Sequence, residues 1–117
     1  MPGRFPLLTL IVHVPGAEDR RIDIRDWRTV IGRSSRNDVQ IIARQVSKSH
    51  AAIELDGGIP YIRDLGSRNG VAVNGVAVHG SVALGPSDRI ALGDALLSVD
   101  PNSVIFQPSA SQSALQT

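Results

Sequence analysis

Every apolar run in this chain is cut off by Gly, Pro, Asn or Asp before it reaches the length of a helix. Leu7 to Val14 stops at Pro15-Gly16, and Arg21-Ile22-Asp23-Ile24-Arg25 alternates polar and apolar residues. Thr29-Val30-Ile31 ends at Gly32, Val39 to Ile42 forms the next run, His50 to Leu55 closes at Asp56-Gly57-Gly58, and Ile59 to Leu65 leads into Gly66. A strand turns successive side chains to opposite faces, so short runs of this kind bury one face of a sheet and end at turns. Residues 71–80 read as two near-identical halves meeting at Asn74-Gly75, a dipeptide that tolerates positive φ and so closes a hairpin. Arg89 to Leu92 and Ala95 to Val99 flank Gly93-Asp94 and predict a second hairpin. No window shows sustained helical periodicity. The expectation is an all-β fold, two antiparallel sheets packed as a sandwich.

Hydrophobic residues make up 42% of the 117 and charged residues 20%, enough for one compact core. Aromatic residues are only 3%, so that core is built from Val, Ile, Leu and Ala. The folded domain is expected over residues 5–100, after a short extension at 1–4. The Ser- and Gln-containing stretch 101–117 reads as a polar tail or linker. The lone Trp27 is expected to pack beneath a loop.

The same numbers exclude several functions. A formal net charge of +1 provides no global field for nucleic acid, and scarce aromatics provide no base-stacking platform. With no cysteine there is no disulfide, thiolate metal site or Cys nucleophile. His13, His50 and His79 are too scattered for a metal set, and no cofactor is expected. No stretch approaches the roughly 20 apolar residues that span a bilayer, and the N-terminus lacks a signal-type apolar run, which points to a cytoplasmic setting.

What remains is polar chemistry in three loops: Gly32-Arg33-Ser34-Ser35-Arg36-Asn37-Asp38, Ser47-Lys48-Ser49-His50 and Ser67-Arg68-Asn69-Gly70. Arg and Lys make charge-assisted hydrogen bonds to anions, Ser hydroxyls add neutral ones, and a guanidinium grips two oxygens at once. Such an inventory suits a tetrahedral dianion if the loops converge. Taken singly, each is also what an ordinary solvated loop looks like.

The order Gly32-Arg33, Ser47-x-x-His50, Ser67-x-Asn69-Gly70 and Val73-Asn74-Gly75 resembles the forkhead-associated domain. The resemblance runs over about residues 29–75 at motif level and to Val99 in strand pattern. It implies a sandwich of about eleven strands whose loops at one end bind phosphothreonine peptides, a recognition mode built on Arg clusters. By that resemblance Arg33 is the main phosphate clamp, Ser47 a second phosphate donor and Lys48 a further contact. Asn69 holds the peptide backbone, and Arg68, where the family often has Thr, adds a cation to the peptide site. Gly32, His50, Gly70, Asn74 and Gly75 support the site, with His50 bracing the loops from within. Arg36 and Arg44 are read as solvated side chains.

The implied partner is a protein carrying phosphothreonine, placed there by an upstream Ser/Thr kinase. The setting is bacterial signalling, where such modules are often fused to further domains. The alternative is a scaffold that uses the fold for assembly without phosphate, for which loss of the Arg and Ser clamp would be expected. A hydrolase built from Ser47 or Ser49, His50 and Asp64 is disfavoured, since there is no nucleophile elbow and a triad requires geometry that scattered residues do not show.

Overall fold

The computed structural model describes residues 7–107. Eleven strands form there: β1 (Leu8–His13), β2 (Arg20–Ile24), β3 (Thr29–Gly32), β4 (Val39–Gln40), β5 (Ala51–Asp56), β6 (Ile59–Asp64), β7 (Val71–Val73), β8 (Val76–Ala77), β9 (Ser81–Ala83), β10 (Arg89–Leu92) and β11 (Ala95–Val99). They assemble into a six-stranded sheet of order β2-β1-β11-β10-β7-β8 and a five-stranded sheet of order β4-β3-β5-β6-β9. The only helical element among the described residues is a 3-10 turn, Val104–Phe106, and no helix is long and apolar enough to cross a membrane.

The alternation in the sequence is what seals the two sheets together. Along β11, Ala95, Leu97 and Val99 are buried while Leu96 and Ser98 are only partly so. Ile90 and Leu92 of β10 and Val71 and Val73 of β7 repeat the pattern. Leu8, Leu10 and Val12 from β1 join them, and Ile31, Ile53 and Ile62 project from the facing sheet into the same core. A sandwich buries one face of each sheet in this way, and at about 25 cal/mol per Å² this apolar contact is the main force holding the layers together. Trp27 packs half-buried against the core, as expected.

Both hairpins form where the turn chemistry places them. Asn74 and Gly75 both take positive φ (53° and 82°) between the paired residues Val73 and Val76, the requirement of a type I′ turn. The Asn74 side chain also ties this hairpin to β10: its Oδ1 accepts from the Arg89 N–H and its Nδ2 donates to Asp88 Oδ1. Gly93 and Asp94 link the paired residues Leu92 and Ala95, with Gly93 at φ 56°.

One pairing departs from the antiparallel expectation. β4 runs parallel to β3, with Ile31 opposite Val39 and Gly32 opposite Gln40. Parallel neighbours usually need a crossover of a dozen or more residues. Here the 33–38 loop folds back on itself, and Asp38 Oδ2 accepts the Val30 N–H alongside. The expected strand through Ile42 is correspondingly short. After the Ile41 N–H bonds the Gly32 carbonyl the chain turns away, leaving Ile42 73% exposed.

Packing continues past residue 100. Ser103 is 3% exposed, and its Oγ accepts the Thr9 N–H at 2.9 Å while donating to the Asp100 carbonyl at 2.7 Å. The Ile105 N–H then bonds the Leu7 carbonyl. Ser103→Ala strands a buried N–H on β1, which costs about 1–3 kcal/mol. Urea unfolding should show that loss as a lowered midpoint with an unchanged slope.

Candidate functional site

The 33–38, 41–49 and 65–70 loops meet at one end of the sandwich, beside the Gly93-Asp94 hairpin. Three kinds of contact hold them there. His50 is fully buried, with its Nδ1 3.0 Å from the Ser47 N–H and its Nε2 2.7 Å from the Gly70 carbonyl. A backbone N–H can only donate and a carbonyl can only accept, so Nδ1 is the acceptor and Nε2 carries the proton. The ring thus joins the second loop to the third. Gly70, at φ 78°, presents the carbonyl that completes the bridge.

Asn37 does the equivalent job between the first and second loops. Its Nδ2 donates to the carbonyls of Ser34 and Lys48, and its Oδ1 accepts from the Ser49 hydroxyl. This packing leaves no room at Gly32, where an added Cβ would collide with the Lys48 carbonyl and the Asn37 side chain. Gly32 is therefore required for the close approach of the two loops. The backbone completes the seam through Arg33 N–H to the Ser47 carbonyl (2.9 Å) and Ser34 N–H to the Lys48 carbonyl (3.1 Å).

Gln45 provides the third contact. It takes φ 68°, and its carbonyl accepts from Asn69 Nδ2 at 2.9 Å. Gly93 passes so close that a Cβ there would lie 2.5 Å from the same carbonyl oxygen. Neither Asn37 nor Gln45 stood out in the sequence. Asn37 is one polar residue in a polar loop, and nothing about an Arg-Gln step announces a left-handed backbone.

On this frame the functional side chains surround one cleft of ≈ 310 Å³, lined by Arg33, Ser47, Lys48, Arg68 and Asn69 over Gln45 and Val46. Arg33 Nε donates to the Val46 carbonyl at 3.0 Å, which orients the guanidinium and leaves its terminal nitrogens without partners among the described residues. Ser47 Oγ accepts the Arg68 N–H at 3.1 Å, so its own hydrogen stays available to an acceptor. Lys48 and Arg68 are exposed and enter no ion pair among the described residues. Asn69 spends one amide hydrogen on Gln45 and keeps its carbonyl oxygen unbonded. Asn74 and Gly75 lie apart from the cleft, at the far end of β7, and support the sheet rather than the loops.

No Asp or Glu lines the cleft. Four arginines away from the cleft do reach carboxylates: Arg28 and Arg63 share Glu54, and Arg21 and Arg25 share Asp23. Like charges gathered without a counter-ion repel one another, and the arrangement is relieved by an anion from outside.

The serine and histidine chemistry of a hydrolase does not assemble. Both ring nitrogens of His50 are committed to backbone groups, the Ser49 hydroxyl donates to Asn37, and Asp64 Oδ1 accepts the Ser67 N–H. None of these bonds links a serine hydroxyl to the imidazole.

Known proteins share this fold. A family model described as FHA domain matches residues 29–93, the span that carries all three loops and the Gly93 hairpin. An FHA domain-containing protein of Arabidopsis thaliana is 37% identical over 93 residues; the match covers 76% of this chain and 24% of that relative, so the chain spans about a quarter of its length. The solution structure of the FHA domain of an Arabidopsis thaliana hypothetical protein superposes with a TM-score of 0.75 at 33% identity, covering 91% of this chain and 92% of that one. The structure of Mycobacterium tuberculosis EmbR in complex with a low-affinity phosphopeptide superposes with a TM-score of 0.69 at 29% identity, covering 79% of this chain and 24% of that one. The residues matched make up more than half of the sequence, and the chain belongs to the forkhead-associated domain family.

Proposed function

We propose that this chain is a docking module for phosphothreonine-containing segments of other proteins, acting by binding and not by catalysis. The observation that carries the reading is the cleft itself: Arg33, Ser47, Lys48 and Arg68 face one another with no carboxylate in the lining. A phosphothreonine brings about −1.5 to −2 charges and three strong acceptor oxygens. Arg33 is the main clamp, because its Nε is already anchored and its terminal nitrogens are free to bind two oxygens together. Ser47 donates its hydroxyl hydrogen and Lys48 adds an ammonium. Asn69 receives a backbone N–H of the peptide on its unbonded oxygen, and Arg68 contributes a cation beside it. The phosphopeptide bound to EmbR supports this reading.

The loops are held before ligand arrives, so little ordering entropy opposes binding. In this reading a Ser/Thr kinase acts upstream and writes the mark that the module reads. A cytoplasmic signalling role, with the module joined to further domains, completes it. Assembly through the fold without phosphate would leave the unpaired cations of the cleft without a purpose.

The test is a titration against an oriented phosphothreonine peptide library, with matched phosphoserine and unphosphorylated peptides. Binding should require the phosphate. Arg33→Ala removes a preoriented charge-assisted contact and should weaken binding by about 2–4 kcal/mol, roughly 30- to 1,000-fold. Lys48→Ala should cost roughly 2- to 10-fold, since an exposed, flexible ammonium binds as a point charge. Phosphate-independent binding that survives Arg33→Ala would establish the scaffold reading instead.

His50→Ala leaves the Ser47 N–H and the Gly70 carbonyl without their buried partner. It should lower stability by about 2–4 kcal/mol and weaken phosphopeptide affinity although His50 touches no ligand. Calorimetry of unfolding checks the first effect, and the same titration on folded variant checks the second.

A further inference from the structure

The far side of the Arg33 and Lys48 pair opens on a second cleft of ≈ 490 Å³, lined by these two residues with Ser34, Arg36 and Ser49. It contains neither Asn69 nor Arg68, and the two clefts share only Arg33 and Lys48. No Asp or Glu lines the second cleft either. Arg36 is exposed and enters no ion pair among the described residues.

The loop that carries Arg36 is built, not slack. Asn37 pins it to the carbonyls of Ser34 and Lys48 and to the Ser49 hydroxyl. The Arg36 N–H donates to Ser34 Oγ at 3.2 Å, which leaves the Ser34 hydroxyl hydrogen unspent. Charge balance then points beyond one phosphate. Arg33, Lys48, Arg68 and Arg36 line the paired clefts, whereas a phosphothreonine supplies only about −1.5 to −2 charges. Roughly two positive charges stay unmatched after it binds, and Arg36 is the one that lies outside the first cleft.

We propose that the second cleft receives a further anionic group of the same ligand, a carboxylate or a second phosphate, with Arg36 and the Ser34 hydroxyl as its contacts. The inference rests on the phosphothreonine reading of the first cleft. It makes Arg36 a specificity-determining residue, selecting phosphothreonine segments that are acidic or doubly phosphorylated on the side away from Asn69.

The experiment walks one Asp, or one second phosphothreonine, along a neutral peptide with a fixed central phosphothreonine. An extended chain advances about 3.3–3.6 Å per residue, so about four positions on either side cover the cleft. Wild type should gain about fivefold from Asp at positions on one side only, and more from phosphate if phosphate is the natural group. Whichever probe gains more identifies the source of the anion. The ratio of acidic to neutral peptide affinity should fall to about one in Arg36→Ala. In Arg36→Glu the preference should switch to a peptide carrying Lys at the same position.

A flat profile in wild type, or a gain that persists in Arg36→Ala, overturns the inference and leaves the first cleft untouched. Failure of the neutral singly phosphorylated peptide to bind wild type removes the phosphothreonine reading, and the second cleft's role falls with it.

Discussion

Between the Ser47 N–H and the Gly70 carbonyl lies a single imidazole with no exposed surface, and it joins the two loops that carry Ser47 and Asn69. Ser47 points its hydroxyl and Asn69 its amide into one cleft because the segments that carry them are joined through His50. A buried polar ring is costly unless both nitrogens are bonded. Here each is bonded to backbone of a different loop, so the energetic requirement of burial and the geometric requirement of the site are met by the same two bonds. Loops without secondary structure of their own are usually mobile. These are fixed by side chains reaching across from one loop to another: His50 on one seam, Asn37 on a second, and Asn69 with Gln45 on a third.

That rigidity allows charges of one sign to stay close together. Away from the loop end, Glu54 of β5 pairs with Arg63 on the neighbouring strand and with Arg28 just before β3. At the loop end the neutralising group is missing from the lining of both clefts. A floppy loop would relieve repulsion by moving its cations apart. Loops tied down by Asn37 and His50 keep them together, and in the proposed reading a bound anion relieves the repulsion instead.

Much of this was legible in the sequence. Turn residues at short intervals implied a sandwich, and Asn74-Gly75 closes the hairpin that its tolerance of positive φ requires. The proposed ligand contacts were visible because Arg33, Ser47 and Asn69 stand in a distinctive order. Their supports were less visible, for physical reasons. Asn37 acts through three bonds, two of them to groups more than ten residues away, and a lone Asn in a polar loop carries no sign of them. Gln45 takes a positive φ that local preference opposes, at the point where its carbonyl accepts from Asn69. β4 runs parallel because the preceding loop folds back, and its alternation alone gives no direction. Ser103 was read as part of a polar tail, yet it is buried because β1 leaves an N–H that its hydroxyl can bond.

The bond between Ser103 and Thr9 also sets how the domain would respond to force. Leu7 and Ile105 are hydrogen-bonded neighbours, so the described chain enters and leaves side by side. The strand register puts this point at the end of the sandwich away from the Gly93 hairpin and the clefts. The two ends of the described chain therefore share one point of attachment, distant from the clefts. Tension between them would peel β1 from its neighbours one bond at a time, a weak loading direction. Tension between the tether and a bound ligand would instead run along the length of the strands and load their hydrogen bonds together in shear.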